Sequence, residues 1–374
     1  MRLRDASAAF ALACSWVMIG TECGSSSSNG DAGDAMTTEG GNDVMSTTDA
    51  PSSDAGNDAP ACPTTVPANL EDPAIAECTT IVYIAGGDNN TVTISTDGTT
   101  WNSFEIDHIT GDDYINFISI ADGVVTTTSL PGVYQSVDGA KTFSVVSAIA
   151  HSNFDTYGGQ INYGNKGLLL TDNEGTYIAA DELTWIRQTP FPDDASADGF
   201  GGHYHGVAFG NGHYVVFQDK NAFREYDGTT FVDGVTTVAV DSLAFGNGVF
   251  VGVGGGGVVT SADALTWTVQ SGFDGGAQPS IVLYNGMQFI AYDGTNAYTS
   301  TNGQTWSGST LPNQVRINAA AYYGGQYFGV GNFGATSALL LSSDGLTWAM
   351  AQATPSSETF NINGPRVGVG RILK

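Results

Sequence analysis

Basic residues are scarce: the 374-residue chain has 11 Lys and Arg against 38 Asp and Glu, a formal charge of −27. Such a balance argues against nucleic acid and anionic membrane surfaces as partners, because both need a positive face to displace counterions. No stretch of any length repeats apolar residues at i, i+3, i+4 and i+7, so the chain does not read as a helical bundle. No phosphate-binding glycine loop, thiol nucleophile or Ser/His/Asp arrangement is recognisable. Tryptophan is nearly absent outside one recurring context. Of the six, Trp16 lies near the start and the other five occupy one repeated phrase, which leaves none as a platform for stacking a sugar ring.

What the chain does have is glycine, 50 residues of it, between short runs of Val, Ile, Tyr, Phe and Thr. Strands bounded by Gly and Asp turns make an all-β chain. A phrase then recurs: STDGTTW (Ser95 to Trp101), SVDGAKTF (Ser136 to Phe143), AADELTW (Ala179 to Trp185), EYDGTTF (Glu225 to Phe231), SADALTW (Ser261 to Trp267), STNGQTW (Ser300 to Trp306) and SSDGLTW (Ser342 to Trp348). The third positions are Asp97, Asp138, Asp181, Asp227, Asp263, Asn302 and Asp344; the closing aromatics are Trp101, Phe143, Trp185, Phe231, Trp267, Trp306 and Trp348. Gaps of 36 to 46 residues between third positions mark one supersecondary unit per repeat, the period of propeller blades. Seven boxes predict seven blades.

Each box follows an apolar strand and opens another, so it reads as a hairpin turn. The Asp carboxylate is expected to accept backbone N–H groups one or two residues on, Gly to relieve the turn dihedrals, and the aromatic to pack against the next blade. One blade can be written as strands A to D: SLAF, VFVGV, VVTS and TWTVQ, within Ser242 to Gln270. The first repeat lacks an A strand, which a segment within Glu358 to Arg371 is expected to supply, closing the ring. In such a meander the A/B turns and the boxes share one face, here called the bottom; B/C and D/A connections lie on the other, the top.

The beginning of the chain is of another kind. Arg2 and Arg4 precede an apolar run from Ala6 to Gly20, the charge order and size of an export signal. Residues 24–61 carry seven acids and no base, too polar to bury a core, and are expected to form a disordered tether. The expected organisation is therefore a signal over 1–23, a linker over 24–61 and a propeller over 62–374. Cys62 and Cys78 are expected to pair in an oxidising compartment, a staple worth about 3 kcal/mol for a loop of that size.

The boxes resemble the Asp-box repeat of sialidase-like β-propellers, from about Thr79 onward, although six of the seven have one residue fewer between Asp and aromatic. In that family the box is structural. A sialidase of the family would imply three converging arginines, a tyrosine nucleophile and an acid. After the signal the chain has only Arg187, Arg224, Arg316, Arg366 and Arg371, and only Arg316 clearly precedes an inner strand on the top face. The start of the chain resembles bacterial lipoproteins, with Cys23 the candidate for lipidation and Cys14 an alternative; the resemblance implies an envelope lipoprotein, and plain secretion is the equal alternative.

Four of the five histidines fall in three consecutive D/A connections. The first holds His108, Asp112, Asp113 and Tyr114, the second His151, Asp155 and Tyr157, the third Asp193, Asp194, His203 and His205. Imidazole and carboxylate together are the ligands of a divalent metal, with His108, His151, His203 and His205 as its candidates; solvated polar loops are the alternative. His213 follows a bottom turn and reads as surface. Two acids among Asp112, Asp113, Asp155, Asp193 and Asp194 could serve a glycoside hydrolase or lyase, but no spacing singles out a pair. The expected activity is non-catalytic binding of an envelope or extracellular protein, or a glycan, by a monomer through the top face. No cofactor is firmly implied, a divalent metal being the one candidate.

Overall fold

The computed structural model describes residues 62–63, 70, 72–87, 90–106, 115, 117–129, 132–146, 160–164, 167–172, 175–180, 183–187, 204–218, 221–255, 257–271, 273, 276–353 and 367–374. All belong to the compact unit Asp58–Lys374. The export signal, the linker, Cys23 and Cys14 lie outside the described residues.

The chain folds as an all-β propeller of four-stranded antiparallel sheets. After β1 (Thr79–Gly86), β2 (Thr91–Ser95) and β3 (Asn102–Glu105), six stretches each build a blade. Blade I is β4 to β7 (Phe117–Ala121, Val124–Ser129, Gly132–Ser136, Ser144–Val145), and blade II is β8 to β11 (Gln160–Gly164, Gly167–Asp172, Gly175–Ala179, Trp185–Arg187). Blade III is β12 to β15 (Tyr204–Gly210, His213–Gln218, Ala222–Tyr226, Phe231–Val235), and blade IV is β16 to β19 (Ser242–Gly246, Val249–Gly254, Gly257–Ser261, Thr268–Val269). Blade V is β20 to β23 (Ile281–Tyr284, Phe289–Tyr292, Asn296–Ser300, Ser307–Thr310), and blade VI is β24 to β27 (Val315–Tyr323, Gln326–Phe333, Thr336–Ser342, Ala349–Ala353).

Counted as blades completed by one stretch of chain there are six, one fewer than the boxes predict. The box at Asp97 belongs instead to a composite sheet in which β28 (Val367–Leu373) supplies the innermost strand, giving the order β28-β1-β2-β3. β28 pairs with β1 from Thr79↔Leu373 to Ala85↔Val367, so the strand begins later than the expected segment and runs past Arg371. The innermost strands follow one another around the ring, β28 meeting β4 on one side and β24 on the other.

Burial is graded from the inside out, and composition follows it. β17 (VFVGVG) is buried almost throughout because both of its faces meet neighbouring sheets, whereas β19 and β23 are exposed. Between sheets sit separate apolar clusters, such as Val215, Phe217 and Phe223 of blade III against Val240, Leu243, Phe250 and Val259 of blade IV.

The boxes are hairpin turns, with one correction to their chemistry. Asp97 Oδ1 accepts the N–H groups of Thr99 and Thr100 at 2.8 and 2.7 Å, two and three residues on rather than one or two. Asp227, Asp263, Asn302 and Asp344 repeat this pattern. In the longer SVDGAKTF box, Asp138 takes Lys141 and Thr142 instead. The first residue of the phrase matters equally. Ser342 Oγ donates to Asp344 Oδ1 at 3.0 Å and accepts the Gly345 N–H at 2.8 Å, and Ser95 and Ser300 do the same.

The box aromatics pack against the preceding sheet, not the next. Trp267 of blade IV lies 5.1 and 5.7 Å from Phe217 and Phe223 of blade III, and Trp348 of blade VI lies 6.1 Å from Tyr292 of blade V. Trp101 of the composite sheet stacks on Phe328 of blade VI at 5.4 Å. The indole N–H groups of Trp267, Trp306 and Trp348 return to the carbonyls of Ala264, Gly303 and Gly345, each at 3.2 Å.

Cys62 and Cys78 form the expected disulfide, with Cα atoms 5.4 Å apart. Cys78 ends a 3-10 turn, Pro73–Cys78, capped by the Asp72 carboxylate, and leads directly into β1.

Candidate functional site

The two faces of the ring differ in how much of their polar chemistry is already spent. On the bottom, the box carboxylates are held by their own turns. Backbone N–H bonds from Thr266 and Leu265 hold Asp263 down to about 2. Asp97 is lowered chiefly by the Thr100 and Thr99 N–H groups, and Asp227 by the Thr229 hydroxyl and the Thr230 N–H. For Asp344, burial pushes upward, but bonds from Thr347, Leu346 and Ser342 outweigh it. These acids are structural anions, each with its lone pairs engaged locally.

The A/B turns knit the same face across blades. Asn211 Nδ2 donates to Ala262 O in the box of blade IV at 3.2 Å, and Asn247 Nδ2 to Thr301 O in the box of blade V at 2.9 Å. Tyr284 and Asn285 add bonds to Asn247 Oδ1 and the Tyr327 hydroxyl. This network places the turns and boxes together, as the meander predicts.

On the top face, one sequence-predicted residue stands out. Arg316, on β24, is exposed and pairs in register with Asn332 of β25. Its Nε donates to Asn318 Oδ1 at 3.3 Å, and Asn318 falls at a register shift between Ile317 and Ala319. Beneath it lies Gly294 in the B/C turn of blade V, where a Cβ would sit 3.5 Å from Arg316 Nε. The Ile317 N–H donates to Gly294 O at 2.8 Å, which ties the start of blade VI to that turn.

The neighbouring acid does not neutralise this guanidinium. Asp293 accepts from the Asn296 N–H and amide and from the Tyr298 hydroxyl, at 2.9 to 3.1 Å. Burial first, and then that bond, push the Tyr298 hydroxyl up to about 12, so it remains a donor. Among the described residues, the two terminal nitrogens of the exposed Arg316 make no hydrogen bond or ion pair. A planar fork of this kind suits a carboxylate or another oxyanion. Sequence reasoning singled out Arg316 but not Asn318, Gly294 or Asp293; the Tyr-Asp-Gly-Thr-Asn turn that carries the last two was the signal.

His205 lies on β12, half buried, beside a register shift between Tyr204 and Val207. The remaining predicted top residues, His108, Asp112, Asp113, Tyr114, His151, Asp155, Tyr157, Asp193, Asp194 and His203, lie outside the described residues. Among the described residues no group of three or more His, Cys, Asp or Glu is placed to hold a metal ion. His213 departs from its reading as simple surface: its Nδ1 is 2.6 Å from the buried Glu225 carboxylate.

No protein-family model matches the chain, and no curated protein matches its sequence. Solved structures do resemble it. YCF48 bound to D1 peptide aligns with a TM-score of 0.50 at 16% identity, covering 74% of this chain and 94% of that one. A streptogramin B lyase aligns with a TM-score of 0.54 at 10% identity over 73% of this chain and 89% of its own. A virginiamycin B lyase from Staphylococcus aureus, selenomethionine substituted, gives 0.53 at 9% over 79% of this chain and 100% of its own. At these identities the likeness is one of fold.

Proposed function

We propose that this propeller is an exported, envelope-tethered binding module whose top face takes a protein or peptide ligand, without chemistry of its own. The observation that carries the reading is Arg316: an exposed guanidinium beside Gly294, bonded through Nε to Asn318 and with its terminal nitrogens unbonded among the described residues, on an acidic domain. The bottom face supports no comparable reading, because its acids and amides are already engaged in turns and seams. The boxes are structural, in keeping with the resemblance to Asp-box propellers. A peptide is the ligand class to try first, since YCF48, of similar fold, was solved with one. Residues 1–61 supply export and the tether, with Cys23 the residue we assign to lipidation, and the module acts as a monomer.

A glycan hydrolase or lyase is the second reading. It rests on lyases of similar fold and on the acids of the three D/A connections, which the meander pattern of the sequence assigns to the same face. One experiment separates the two. The purified chain is titrated with a library of peptides bearing free or amidated carboxyl ends, and incubated in parallel with a mixed glycan panel read by mass spectrometry. Binding of free carboxylates, weakened about tenfold or more in Arg316→Gln with an unchanged melting temperature, supports the module. Glycan fragments would replace it with the second reading, and neither result would sink both. Chelation tests the histidine site separately: if it holds a resident metal, stripping divalent ions lowers the melting temperature.

A further inference from the structure

Blade III buries an acid beside its box turn: Tyr226, opposite Tyr214, takes the register that Ser261 and Ser342 hold opposite Phe250 and Tyr327, and Glu225 lies one residue earlier, opposite Val215 on the other face of the strand. Glu225 and Arg224 are the charged residues buried among the described residues, and they face opposite sides of one strand. Arg224 is matched on its own face by a two-pronged ion pair with Asp233, 2.5 and 2.7 Å, and lies over Phe231. Glu225 points the other way, toward blade IV, where Val240, Phe250, Ala264 and Trp267 form an apolar wall. Its side-chain partner is His213, 29% exposed, against 3% for Glu225.

We infer that His213 and Glu225 form a proton-operated latch in the seam between blades III and IV, tight in acid and looser as pH rises. The groups around the pair leave it no alternative partner. β16, β17 and β18 of blade IV carry no titratable side chain, and the nearest acid of that blade stands in its box, Asp263, engaged with its own turn. On β14 and its turn, Arg224 faces away with Asp233 of β15, Tyr226 lies on the opposite face, and Asp227 is a second negative charge. On β12, Tyr204 and His205 lie at the far end of the strand from His213, which pairs with Gly210.

The direction of the effect follows from linkage. Burial pushes Glu225 up, more than His213 pulls it down, and Asp227 adds to the rise. A carboxyl raised above its unfolded value contributes most while protonated; that contribution is lost as pH climbs from the ordinary carboxylate range through the folded value. The seam this loosens is also crossed by Asn211, whose side chain reaches Gly248 O and Ala262 O, so the effect should surface on the box face.

The test uses the full chain as wild type, Glu225→Ser and Glu225→Gln, over pH 4 to 8.5. Serine removes the carboxylate together with its contact to His213; glutamine keeps a hydrogen-bonding group beside His213 without a carboxyl titration. Amide exchange at Leu243 to Phe245, corrected for intrinsic rates, should quicken about tenfold from pH 5 to 8 in the wild type. Glu225→Gln should change less than twofold. The melting-temperature gap between wild type and Glu225→Ser should shift steadily against the wild type as pH rises. A gap independent of pH, or equal exchange profiles in wild type and Glu225→Gln, overturns the latch, and one of these two variants suffices if the other fails to fold.

Discussion

Replacing Gly345 by alanine tests whether the boxes are locked to the preceding blade as described. Gly345 has φ +73, and an added Cβ would lie 2.7 Å from Ile290 Cδ1 and 3.0 Å from both the Tyr292 hydroxyl and Tyr327 Cζ. Left-handed backbone costs an L-residue about 1–2 kcal/mol. Forcing a methyl into a packed seam adds about 1–3 kcal/mol, and here it also disturbs the Tyr292 hydroxyl, which donates to Gly345 O at 2.8 Å. The stiffer unfolded chain returns about 0.5–1 kcal/mol. The net loss is about 2–3 kcal/mol. Gly212 is the control, with φ +87 and nothing within 4 Å of an added Cβ. Gly212→Ala should lose about 1 kcal/mol or less, from the dihedral alone. At a few degrees per kcal/mol, melting followed by near-ultraviolet circular dichroism should place Gly345→Ala about 5 °C below the wild type and Gly212→Ala within about 2 °C of it. Equal losses would refute the reasoning, because only the seam distinguishes the two positions.

Other outcomes follow from the same structure. Asp263→Asn should be well tolerated at neutral pH, since Asn302 already makes the same two backbone bonds in blade V, whereas Asp263→Ala should melt lower. Because Asp263 is lowered to about 2 in the fold, the stability it contributes is full above the ordinary carboxylate range and drains away as pH falls toward 2. Urea titrations from pH 7 to 2 should therefore show a weaker acid dependence in Asp263→Asn than in the wild type. Paired Cys62→Ser and Cys78→Ser changes should lose about 3 kcal/mol relative to the oxidised protein, while the reduced wild type matches the double variant. Tyr292→Phe removes a buried hydroxyl from the Gly345 carbonyl and should lose about 1 kcal/mol, measured by the same titration.

Much of the architecture was legible because the repeat is a turn, and turns declare their needs in few residues. Gly98, Gly139, Gly228, Gly303 and Gly345 all have positive φ, as the phrase requires. The strand pattern around Ser242 to Gln270 matches β16 to β19. Other features were not recoverable at that level. A periodic sequence carries no direction around the ring, so the aromatics were assigned to the wrong neighbour. The box serines recurred plainly, yet their bridge between Asp and Gly is a matter of geometry three residues long. His213 and Glu225 are twelve residues apart, on adjacent strands, and nothing local signals that they meet. Of the candidate site, Arg316 was found because an arginine ahead of an inner strand has only the top face to occupy. Its supports, Asn318 and Gly294, depend on a register shift and on a turn in another blade. The histidine connections, apart from His205, lie outside the described residues.

The disulfide has a mechanical consequence. β1 runs from the bottom face to the top, so Cys78, immediately before Thr79, sits at the bottom beside Lys374, whose N–H donates to Cys78 O at 2.9 Å. A pull on the chain at Cys62 therefore passes through the sulfur bridge into the foot of β1, a strand hydrogen-bonded along one side to β28 and along the other to β2. Load applied along a strand flanked in this way shears many bonds together instead of peeling them one at a time.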